Sequence, residues 1–143
     1  MTTIKQLLKK KGAGVSIVSP DATVFVALEL MAERNIGALV VMKDDRIVGM
    51  FSERDYARNV ILKERSSKET LVREIMSVEV TTISPDETIK ECMEIFTEGH
   101  FRHLPVLEGE AMVGVISIGD AVKALISDQV FHIDQLESYI TQG

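Results

Sequence analysis

Apolar positions along the chain change period several times, and the changes recur in the same order. Residues 15–18 are short and apolar enough for a strand, and Ser19-Pro20-Asp21 then reads as a turn. Val24, Leu28 and Met31 follow at helical spacing, which predicts a helix over about 23–34 capped by Thr23. Two strand-like runs come next, Ala38–Met42 and Arg46–Phe51, around the polar turn Lys43-Asp44-Asp45. A second helix is expected to open at Ser52. The same succession then returns: a strand at 80–83, a turn at Ser84-Pro85-Asp86, and a helix over about 88–98 with Thr88 and Glu91 as a capping box. Strands His103–Leu107 and Ala111–Ile116 flank Glu108-Gly109-Glu110, and a helix opens at Ser117.

This is a duplication without gaps. Residues 15–58 and 80–123 match at a constant shift of 65 positions, pairing Ser19-Pro20-Asp21 with Ser84-Pro85-Asp86, Val48-Gly49 with Val113-Gly114, and Ser52 and Asp55 with Ser117 and Asp120. The predicted fold class is α/β, with each copy a β-α-β-β-α module. Two incomplete modules can bury their open faces on each other, so one compact pseudo-two-fold unit is expected. Expected boundaries are 1–64 for the first module, 71–127 for the second and 128–143 for a C-terminal helix. Segments 3–11 and 71–76 read as short lead-in helices. Ile126, Val130, Ile133, Leu136 and Ile140 share a helical face, read as packing on the module or on a second subunit.

Composition narrows the function classes. The net charge of −6 and the scattered basic residues argue against nucleic acid as a main partner. No apolar run approaches the ~20 residues that cross a membrane. The first residues lack a secretory signal, so a cytoplasmic location is expected. The single cysteine, Cys92, falls on the apolar side of a helix and reads as core. His100 and His103 have no third ligand at useful spacing, so no metal site is expected. With no phosphate-binding glycine loop and no nucleophile–base set, neither is catalysis.

The segments Gly49-Met50-Phe51-Ser52-Glu53-Arg54-Asp55 and Gly114-Val115-Ile116-Ser117-Ile118-Gly119-Asp120 resemble the glycine–apolar–x–Ser/Thr–x–x–Asp signature of cystathionine-β-synthase (CBS) domains. Phe101-Arg102-His103-Leu104-Pro105-Val106 is similar to the stretch preceding that signature. The resemblance covers nearly the whole chain and implies a stand-alone tandem pair, or Bateman module. It implies a regulator that binds AMP, ADP, ATP, NAD(H) or S-adenosylmethionine, forms a homodimer and acts on a separate, unidentified protein.

The chemistry of such a site can be read residue by residue. A carboxylate accepts two hydrogen bonds side by side, matching the vicinal ribose hydroxyls at about 1.5–3 kcal/mol per charge-assisted bond. Asp55 and Asp120 fit this role, with Ser52 and Ser117 one turn away. Ser-x-x-Asp is equally a helix capping box, and both readings stay open. Arg54, Arg58, Arg102, His100 and His103 could hold phosphate, or the arginines could pair with Glu53, Glu33 or Glu98. The resemblance points to Ile17, Ile36, Gly37, Ala38 and Met50 in the first copy as the adenine slot. In the second it points to Thr82, Phe101, His103, Pro105 and Val115. Pro105 inside a strand marks an edge or a break in pairing. The second copy's set of Arg102, His103, Ser117 and Asp120 is expected to be the stronger site. The alternative is an interaction or dimerisation module that uses no ligand.

Overall fold

The computed structural model describes residues 2–12, 15–99 and 101–142. The chain divides into two compact units, one of Val15–Thr81 and one of Met1–Gly14 with Thr82–Gly143. Each unit holds one copy of the repeat.

In the first-repeat unit, β1 (Ile17–Val18) runs parallel to β2 (Ala38–Lys43), which pairs antiparallel with β3 (Arg46–Ser52). Between β1 and β2 lies α2 (Val24–Arg34), whose first turn is capped by the Thr23 hydroxyl accepting from the Val26 amide. It ends at Asn35, in the left-handed conformation with φ 53°, a common helix stop. The β2–β3 turn is the two-residue Asp44-Asp45, both with positive φ (52° and 61°), as a tight hairpin of right-twisted strands requires. After β3 come α3 (Glu53–Tyr56), a wider π-helical turn at Ala57–Ile61, and α4 (Val72–Ile75). Val24, Ala27, Met31, Leu39, Val41, Phe51, Val60 and Val72 close over one core.

The second-repeat unit has α5 (Ile89–Gly99), the hairpin β4 (His103–Glu108) and β5 (Ala111–Ser117), and α6 (Ile118–Gln142). The Thr88 hydroxyl accepts from the Glu91 amide, the N-cap half of the predicted box, and donates to the Glu91 carboxylate at 3.3 Å. The hairpins reproduce each other in detail. The ladder slips by one residue between Val41 and Met42 in one and between Val106 and Leu107 in the other, equivalent positions of the repeat.

Two features depart from the sequence pattern. The strand expected at 80–83 is reduced to a single parallel bridge between Ile83 and Val106. Its counterpart β1 is fastened partly by the Val40 amide donating to Ser16 O at 3.2 Å. Pro105 stands where Val40 stands in the first repeat and has no amide to donate. The break in pairing inferred from Pro105 is therefore real, and it falls on the β1-like strand.

The second departure concerns the lead-in helices. The segment 3–11, placed with the first module by its position, forms α1 (Ile4–Lys11) in the unit of the second. Its amides at Ile4 and Lys5 donate to Glu87 O and Pro85 O. In the other unit Val72 and Arg73 donate to Ala22 O and Pro20 O, the equivalent carbonyls. Each repeat is thus completed by the lead-in helix that precedes the other. Ile4 and Leu7 enter the second repeat's core with Ile89, Phe96, Leu104, Val106 and Ile116.

The helix expected beyond Ser127 is the uninterrupted continuation of α6. Its apolar face is not packed on the module: Ile126, Val130, Ile133, Leu136 and Ile140 are all exposed.

Candidate functional site

Both Ser-x-x-Asp segments sit where the second hairpin strand turns into a helix. Ser52 has extended backbone and its hydroxyl accepts from the Asp55 amide at 3.2 Å. Asp55 Oδ2 in turn accepts from the Ser52 amide at 2.9 Å and from its hydroxyl at 3.1 Å. The second repeat copies this: Asp120 N donates to Ser117 Oγ at 3.1 Å, and Ser117 N to Asp120 Oδ2 at 3.0 Å. The capping-box reading is therefore realised twice. It does not exhaust the carboxylates, because Oδ2 carries these bonds and Oδ1 lies outside them. The box fixes each carboxylate's rotamer, which preorganises it for a further partner.

The second carboxylate has another neighbour, one that sequence spacing did not suggest. Lys11 Nζ donates to Asp120 Oδ2 at 2.7 Å and to the Val115 carbonyl, on the open edge of β5, at 2.8 Å. Burial acts to raise the Asp120 carboxyl. The bonds from Lys11 and Ser117 outweigh it and leave the group below the usual carboxylate range. Lys11 stands over a hundred residues away, so only the placement of α1 reveals it. In the first repeat the matching edge residue, Met50, exchanges two backbone bonds with Ser77, and Asp55 has no cation partner among the described residues.

Strand pairing gathers part of the expected adenine slots. His103 lies opposite Ser117 and Pro105 opposite Val115, so these four share one face of the second hairpin. Ala38 lies opposite Ser52 and Met50 opposite Val40 on the equivalent face of the first. Pro105 is buried, and His103, Val115, Ala38 and Met50 are half-buried. The Gly37 and Arg102 carbonyls accept from the first amides of α3 and α6, at 3.1 and 2.8 Å.

Other members have different surroundings. Phe101 stacks edge-on against Phe96, with centroids 6.2 Å apart, as part of the core's margin. Ile36 packs beside the first core, Thr82 is half-buried, and Ile17 is 48% exposed. Arg54, Arg58 and Arg102 are exposed, and neither Arg58 nor Arg102 is in an ion pair among the described residues. His100 lies outside the described residues. Cys92 is fully buried, and burial followed by the nearby Glu87 pushes its thiol up to about 11, so it stays protonated and unreactive at neutral pH. Among the described residues no three His, Cys, Asp or Glu side chains form a metal-sized cluster, and no helix is long and apolar enough to cross a membrane.

A duplicated hairpin-and-helix module with a serine–aspartate box at each strand-to-helix junction defines a class, and the comparisons agree with it. The profile of the CBS domain matches residues 13–61 and 72–127. The chain belongs to the CBS domain family, as a tandem pair. It is 36% identical over 151 residues to the CBS domain-containing protein CBSX3, mitochondrial, of Arabidopsis thaliana, covering 99% of this chain and 73% of that protein. Among solved structures it is similar to a protein with CBS domains from Burkholderia ambifaria MC40-6 (49% identity, TM-score 0.85, covering 90% and 96% of the two chains). It is also similar to the CBS domain protein NE2398 (45% identity, TM-score 0.84, covering 87% and 98%). CBS pair proteins are regulatory modules, commonly ligand-binding, and CBS domains bind adenosine-containing ligands.

Proposed function

We propose that this protein is a non-catalytic sensor of adenine nucleotides, of the AMP, ADP, ATP or NAD(H) class, that regulates a separate protein. The observation that carries the reading is the twice-built carboxylate. Asp55 and Asp120 are each locked by a serine box at a strand-to-helix junction, with one oxygen outside the box. A fixed acceptor pair suits a ribose diol, and the half-buried hairpin residues beside it suit a purine. The apolar α6 face supports a homodimer as part of the same reading, since a second copy would cover it. The expected location is the cytoplasm, although the Arabidopsis thaliana relative is named as mitochondrial.

Native mass spectrometry of the purified protein tests ligand and subunit number together. The expected spectrum is a dimer carrying added mass of one of these adenylates, either co-purified or taken up from a panel of AMP, ADP, ATP, NADH and S-adenosylmethionine. A bare protein that takes up none of the panel would leave the ligand-free interaction module as the function.

A further inference from the structure

We infer that Lys11 makes the second repeat's site selective for phosphate-bearing adenine nucleotides over the neutral nucleoside, an inference that rests on the ribose reading of Asp120. The ammonium of Lys11 bonds the Asp120 carboxylate at 2.7 Å and the Val115 carbonyl at 2.8 Å. These are two of its three donors: one covers a carbonyl that a base edge would use, and the other falls on Oδ2, which the Ser117 amide already uses, balancing the carboxylate's charge while Oδ1 stays open. A ligand entering here competes with an internal cation already in place.

A neutral nucleoside meets a carboxylate whose charge is already balanced, must displace the ammonium from the Val115 carbonyl, and offers it nothing in return. A nucleotide offers its phosphate. Lys11 can follow, because it is the last residue of α1, precedes Gly12 (φ 93°), and has a side chain 37% exposed. The space for the phosphate is present. A cavity of about 470 Å³ is lined by Lys10, Lys11, Lys123, Asp120, Ser127 and Asp128, within the size range of small-molecule sites. Asp128 itself is engaged by the Thr2 amide and hydroxyl at 3.1 and 2.6 Å, so it ties the start of α1 to α6. Among the described residues the first repeat has no such guard: α4 stops at Ile75, and the edge of β3 is closed by Ser77 backbone. The two sites therefore differ in kind, with Asp55 open to nucleosides and nucleotides alike.

The test uses the full chain with Asp55→Asn, which silences the first repeat's carboxylate, and calorimetric titration with adenosine and with ADP. With Lys11 intact, ADP is expected to bind at least about tenfold more tightly than adenosine, the scale of one charge-assisted bond. Lys11→Met is expected to strengthen adenosine and weaken ADP, closing that gap, while Lys11→Arg keeps it. An ADP-to-adenosine ratio unchanged by Lys11→Met, or a parallel shift of both ligands, overturns the role of Lys11 and spares the site. No binding of either ligand, with or without Lys11→Met, overturns the ribose reading of Asp120 and the inference with it.

Discussion

Ile4→Ala is expected to destabilise the second repeat's unit by about 2–5 kcal/mol, the range for truncating a buried isoleucine. Ile4 is fully buried, and its core neighbours are Ile89, Phe96, Leu104 and Ile116 of the second repeat. The backbone beside it is also committed, through Ile4 N to Glu87 O at 2.8 Å and Ile89 N to Thr2 O at 3.1 Å. Relaxation cannot easily fill the void, because the starts of both α5 and α1 are pinned. The position of the loss is as informative as its size. Hydrogen exchange should show protection falling first at Leu104, Val106 and Ile116, although Ile4 stands at the other end of the sequence. Leu39, Val41 and Phe51 should keep theirs longer. Earlier loss in the first repeat would contradict the assignment of α1 to the second unit.

Replacing both carboxylates, Asp55→Ala with Asp120→Ala, is expected to abolish measurable nucleotide binding. Each aspartate would accept up to two ribose hydroxyls, at about 1.5–3 kcal/mol per charge-assisted bond. Losing one site's carboxylate weakens that site by roughly ten- to a hundredfold, and losing both leaves no strong site. Alanine also removes the acid half of each capping box, leaving the serine amide without its acceptor while the serine cap itself stays. The pair Asp55→Asn with Asp120→Asn separates the two effects, since an amide oxygen still accepts from the serine amide. It should melt closer to wild type and still bind poorly. Binding in the asparagine protein as tight as in wild type would mean that the carboxylates are caps alone.

The repeat was legible in the sequence because both signals of it are local. Helical spacing marks α2 and α5, and the paired apolar runs around Asp44-Asp45 and Gly109-Glu110 mark the hairpins. The expected capping and ribose roles of Ser-x-x-Asp could not be ranked by spacing, and the bonds at Ser52 and Ser117 show the cap in place with an oxygen to spare. Pro105 was read as a disturbance of its strand. That its missing amide would shorten the neighbouring strand at 80–83 to one bridge depends on a parallel partner that local pattern does not specify. The exchange of lead-in helices was invisible for the same reason. Nothing in residues 3–11 names the carbonyls of Pro85 and Glu87 as acceptors.

Lys11 is the site's main omission. It lay in a short lysine run at a helix end, where basic residues are ordinary complements to the helix dipole. Only tertiary placement brings it onto Asp120. One of the second repeat's cations is thus already bonded to Asp120 Oδ2 and the Val115 carbonyl. Phe101, expected in the adenine slot, also packs edge-on against Phe96, a contact that apolar spacing alone could not reveal.

The central claim is that a ribose diol is read by carboxylates held in serine boxes. The most direct measurement is calorimetric titration of the full protein with AMP and with 2′-deoxy-AMP under identical conditions. The expected result is saturable heat with AMP and at least about tenfold weaker binding of the deoxy ligand, which lacks one hydroxyl of the pair. Equal affinity for the two, or no heat with either, would contradict it.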